Sequence, residues 1–193
     1  MKRLVFWISL LFLSVNLLAA PPVKYVKIGM LVKHKDNPFF RAAYDGAEVA
    51  AKEIGKVQII YVEPNEATAQ SQNEKIDNLI AQKVDVLAIS ANDPQALVEN
   101  TKKAMAAGIK VISWDSEIVP EGRDLHLMPS SRRLIAKTVV EMADKALGTR
   151  GGNIAILSST PQAPNQNAWI EEMKIELQLK NYAALKLVDT VYG

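Results

Sequence analysis

The chain has 193 residues, 49% of them apolar, enough to bury a substantial core. A formal net charge of +2 argues against a nucleic-acid-binding surface, and the lack of cysteine excludes disulfides, thiolate metal sites and cysteine nucleophiles.

Residues 1–20 form a unit of their own. Lys2 and Arg3 precede "LVFWISLLFLSV", and "NLLAAPP" follows: the basic, apolar, small-residue order of a secretory signal peptide. The competing reading, a transmembrane anchor, needs more than this apolar run of roughly 15 residues. Cleavage is expected after Ala19, because a cut after Ala20 would leave Pro21 at the new N-terminus. With no cysteine to carry a lipid, the mature chain is expected to be soluble and periplasmic.

From Lys27 onward, short apolar runs alternate with helical segments. "KIGMLV" (27–32), "VQIIYV" (57–62), "VDVLAIS" (84–90) and "KVISWD" (110–115) read as parallel strands buried on both faces. Between them lie the helical segments 39–55, 67–83 and 93–108. Phe40, Ala43, Ala47, Ala50, Ala51 and Ile54 share one face of the first, Ile76, Leu79 and Ile80 one of the second, and Leu97, Ala104 and Met105 one of the third. Gly55 and Gly108 sit where helices stop. A short strand "LHLM" (125–128), a helix at 130–148, a strand at 153–159, a helix at 166–179 and a final strand from Leu185 continue the alternation. Such β-α repetition predicts an α/β fold of parallel sheets flanked by helices. The expected division is a first lobe over 22–128 and a second, incomplete lobe over 129–193.

Open parallel sheets bind ligands beyond the carboxyl ends of their strands. The first strand leads to Lys33 and then Asn37-Pro38-Phe39-Phe40, with Asn37 a candidate helix cap and Pro38 suited to the first helical position. Of the two phenylalanines, one is expected in the core and one over the ligand edge, where its ring can stack on a sugar. The third strand presents Ser90, Asn92 and Asp93, the last of these a candidate cap. The fourth ends at Asp115, whose carboxylate can accept two hydroxyls or cap a loop. Asn165, Gln166 and Asn167 stand at the next strand-to-helix turn, where amides suit hydroxyls and Asn165 can also cap. Catalytic motifs are missing: His34 and His126 are the only histidines, and "GTRGG" (148–152) precedes a strand and reads as a turn. No enzyme and no cofactor is expected.

Taken together, the leader, "KIGMLVKHKDNPFF", "LIAQKVDVLAISANDP", "AAGIKVISWDSE" and "NQNAWIEEMK" resemble the periplasmic sugar-binding proteins of ABC importers, nearest the rhamnose-binding and autoinducer-2-binding groups. The resemblance implies the periplasmic-binding-protein type I fold, two lobes closing on one sugar-like ligand, and delivery to an inner-membrane permease. Lys33 and Asp115 match ligand-contacting residues of the autoinducer-2 binder, and Gln166 matches its glutamine. Asn165 departs from that protein's aspartate. Asn37, Phe39 and Phe40 resemble the ribose-binding pattern, in which aromatic rings sandwich the sugar. "PEGRDLHLMPSS" and "NQNAW" lean towards the rhamnose group. Members of the family run to roughly twice this mature length, so the chain is expected to be a C-terminally truncated form with unpaired strand edges and uncovered apolar helix faces. The alternatives are a periplasmic sensor signalling to a membrane receptor and a truncated fragment without function. A ligand-sensing repressor is disfavoured, because the leader stands where a DNA-binding headpiece would be.

Overall fold

A computed structural model describes residues 24–193; the expected leader, 1–20, lies outside them. Five strands, β1 (Val26–Leu31), β2 (Val57–Val62), β3 (Val86–Ile89), β4 (Lys110–Trp114) and β5 (Leu125–Leu127), form one parallel sheet in the order β2-β1-β3-β4-β5. Helices α1 (Pro38–Ile54), α2 (Ala69–Ala81) and α3 (Val98–Ala106) connect the first four strands. Helix α4 (Arg132–Leu147) leads to a second parallel sheet of β6 (Gly152–Ser158) and β7 (Leu185–Tyr192), joined by α5 (Pro164–Glu176).

Local chemistry sets the helix starts. The Asn37 side chain accepts from the Phe39 amide, and Pro38 occupies the first helical position of α1. Thr68 caps α2 through the Ser71 amide, and Ser131 caps α4 through the Leu134 amide. Gly148 and Gly151 take positive φ in the expected "GTRGG" turn. A Cβ on Gly151 would lie 2.2 Å from the Ala184 carbonyl oxygen, so the close approach of that turn to the start of β7 requires glycine.

Leu31, Ile76, Leu79, Leu87, Ile89, Leu97 and Val111 are fully buried and make the first core, sealing α2 and α3 to the sheet. A second core joins α4, α5 and the β6-β7 pair through Val140, Ile170, Met173 and Leu185.

Several expectations change. Of the stripe assigned to α1, only Phe40 and Ala51 are buried; Ala50 is exposed and Ile54 is 74% exposed. Periodicity gives the phase of a helix face but not how far its neighbours cover it: in the last turn of α1 Ala51 is covered and Ile54 is not. Edge strand β2 is half-buried rather than buried on both faces. Leu97 is buried, as expected, but stands one residue ahead of α3, which begins only at Val98. Helix α5 starts at Pro164, two residues earlier than its apolar pattern predicts. The expected exposure of apolar helix faces is present at Leu134 and Met142 of α4 and Ile175 of α5, and Leu157, Leu125, Leu127 and Val188 on the strands also face outward.

Candidate ligand cleft

Strand order reverses at β1. Successive right-handed crossovers therefore send α1 to one face of the sheet and α2 and α3 to the other. The loops leaving the adjacent strands β1 and β3 part company and open a crevice at their carboxyl ends. Register pairing between these strands ends at Leu31 and Ile89. Lys33, Ser90 and Asn92 follow immediately, and Asp115 follows β4 directly.

Asp115 occupies the left-handed region at φ 58°, a conformation aspartate tolerates better than most residues. Its amide donates to the Leu127 carbonyl at 3.0 Å, which holds this turn. The carboxylate is almost fully buried. Oδ2 accepts from Ser90 Oγ at 2.7 Å and lies 3.5 Å from Lys33 Nζ, while Oδ1 accepts from Asn165 Nδ2 at 3.0 Å. Lys33 Nζ donates to Asn165 Oδ1 at 3.2 Å. Lysine, aspartate and asparagine thus close a ring of polar contacts between the first sheet and the first turn of α5. The open space beside this ring measures about 630 Å³, within the range of small-molecule pockets, and Phe39, Asn37, Gln166 and Trp169 line it.

The other expected residues divide by role. Phe39 is 49% exposed at the cleft, whereas Phe40 is 3% exposed and meets Trp114 edge-on at 5.7 Å. Both rings border the cleft, but only Phe39 is exposed and Phe40 belongs to the core, which is the expected division of exposure. Asn37 both caps α1 and lines the cleft. Ser90 is fully buried and reaches the site only through Asp115. Asp93 caps a turn through the Gln95 and Ala96 amides. Asn165 is not the helix cap, a position held by Ala163, and is instead turned into the cleft. Gln166 Oε1 accepts from Ser158 Oγ and the Ser159 amide, both at 2.7 Å, bracing the loop after β6. Asn167 bonds Pro161 and lies outside the cleft lining.

Two residues were passed over in the sequence. Trp169 stands four positions after Asn165, hence on the same helix face, and that spacing was the available signal. Gln72 shares the buried stripe of Ile76 and Leu79 at helical spacing, so a polar side chain was bound to be interior.

Burial lowers the Lys33 pKa from its ordinary 10.5, and the neighbouring Asp115 carboxylate only partly restores it. Between the lowered value and 10.5 the unfolded chain binds more protons than the folded one, so folding gains stability as pH rises through that window. Lys33→Met should abolish this gain. The difference in melting temperature, wild type minus variant, is expected to increase as pH climbs towards 10.5, and thermal melts in a pH series check it. A constant difference would show that Lys33 titrates as it does in water.

The sequence profile of the periplasmic binding protein domain matches residues 28–193. The chain belongs to that family. Among relatives, the D-apiose import binding protein of Paraburkholderia graminis is 26% identical over 185 residues, covering 95% of this chain and 58% of that protein. A crystal structure of an ABC transporter solute-binding protein from Clostridium phytofermentas with bound L-rhamnose is 32% identical, with a TM-score of 0.82 over 88% of this chain and 52% of that one. LsrB from Clostridium saccharobutylicum in complex with AI-2 shares the fold, at 24% identity and a TM-score of 0.79, covering 86% of this chain and 53% of that one. The chain spans about half the length of these relatives.

Proposed function

We propose that the chain is the ligand-binding part of a periplasmic solute-binding protein, capturing an uncharged monosaccharide-like ligand for an ABC importer permease. On this reading 22–128 and 129–193 belong to two lobes that close on the ligand, and residues 1–20 direct export. The observation that carries the proposal is the Lys33-Asp115-Asn165 ring at the crevice where strand order reverses, with an exposed aromatic beside it. The paired ammonium and carboxylate cancel in charge, which suits a neutral polyol. Its hydroxyls would donate to Asp115 and accept from Lys33 and Asn165, taking over contacts these groups make with one another. Its C–H face would lie on Phe39 or Trp169. L-Rhamnose in the 32%-identical relative favours a rhamnose-type sugar over autoinducer-2, whose relative is similar in fold.

Thermal melts with L-rhamnose, D-ribose, D-apiose and autoinducer-2 test the reading. A ligand at a hundredfold excess over its dissociation constant adds about 2.7 kcal/mol to folding, a shift of several degrees. One sugar should raise the melting temperature and the others should raise it less. No shift with any of them counts against a sugar site.

A further inference from the structure

Gln72, in the first turns of α2, is fully buried and saturates its carboxamide on main-chain groups of the two strands that flank the crevice. Nε2 donates to the Val32 carbonyl at 3.0 Å and to the Ser90 carbonyl at 2.7 Å, and Oε1 accepts from the Asn92 amide at 2.8 Å. The three partners fix the orientation of the amide, since a flip would set its oxygen against two carbonyls and its NH₂ against an N–H. All three lie just beyond the last paired rung of β1 and β3, Leu31 with Ile89. They are also the immediate supports of the cleft: Val32 precedes Lys33, Ser90 holds Asp115, and Asn92 Nδ2 donates to the Lys33 carbonyl at 3.0 Å.

We propose that Gln72 is a positioning residue for the cleft, its carboxamide replacing the missing rungs where β1 and β3 diverge and so setting the spacing between Lys33 and Asp115. The consequence for binding rests on the sugar-site reading above; the consequence for the strand ends does not. Without the carboxamide, two carbonyls and one N–H are left buried and unpaired, and the strand ends move apart to reach water.

Gln72→Met keeps the length and burial of the side chain and removes its hydrogen bonds. Ile109→Ala, at the opposite end of β4, serves as a destabilised control, with measurements made at temperatures of equal unfolded fraction. Two readouts are compared: L-rhamnose affinity by calorimetry, and amide hydrogen exchange of the sugar-free chain by mass spectrometry. Gln72→Met should bind L-rhamnose at least about tenfold more weakly than the control. Peptides spanning 32–34 and 90–92 should exchange faster in it than in the control. Equal affinity together with the same exchange pattern would overturn the proposal. If the wild-type chain binds no L-rhamnose, the rhamnose reading fails and exchange alone decides: a local increase at those peptides upholds the positioning role, and a uniform one refutes it.

Discussion

Asp115→Asn should weaken sugar binding by about a hundredfold or more while the chain stays folded. The carboxylate is the one anionic group in the cleft's polar ring, accepting from Ser90 and Asn165 and facing the Lys33 ammonium. Asparagine keeps its shape and tolerates the same left-handed backbone, so the substitution isolates the charge from the turn. An amide can still accept at one oxygen, but its NH₂ is set against a group that can only donate: the Lys33 ammonium on one side or the Asn165 NH₂ on the other. Sugar hydroxyls then lose their strongest acceptor. Lys33 loses the partner that partly offsets its burial, and its pKa falls further. Calorimetric titration of wild type and variant, with melts to verify folding, measures the effect. An affinity within a factor of about three would show that the carboxylate is a structural turn residue and not a ligand anchor.

Phe40→Ala should cost about 3–5 kcal/mol of folding free energy, and Phe39→Ala within about 0.5 kcal/mol, although the two rings are adjacent. Phe40 is buried against Trp114, so truncation opens a cavity beneath the very turn that carries Asp115. Phe39 is half-exposed and meets Phe40 only edge-on at 5.2 Å. The order should reverse for binding: Phe39→Ala lowers sugar affinity with little change in stability. Chemical denaturation paired with titration separates the two. Equal destabilisation by both substitutions would contradict the assignment of one ring to the core and the other to the ligand.

The sequence carried the architecture because its boundaries are chemically marked. Strand β2 falls at 57–62 as read, bracketed by Gly55-Lys56 on one side and Glu63-Pro64 on the other. Lys33 and Asp115 were legible because their positions at strand carboxyl ends follow from the pattern of a parallel sheet. Their union with Asn165 was not. Asn165 lies 132 residues from Lys33, and a contact at that distance depends on how the two sheets face one another. The start of α5 was misplaced because Pro164-Asn165 reads equally as a turn and as a helix's first two positions. Ala50 and Ile54 show the converse limit, with correct phase and missing cover. Gln72 required the three strand-end partners to be seen together.

Trp114 and Trp169 are the only tryptophans among the described residues; Trp169 lines the cleft, and Trp114 meets Phe40 edge-on at its border. Intrinsic fluorescence therefore reads the site itself. Titrating the wild-type chain with each monosaccharide should give a saturable change with one of them, and Asp115→Asn should move its midpoint to about a hundredfold higher sugar concentration or beyond. A chain that melts cooperatively yet shows no saturable change with any of the sugars would contradict the claim that this cleft is a sugar site.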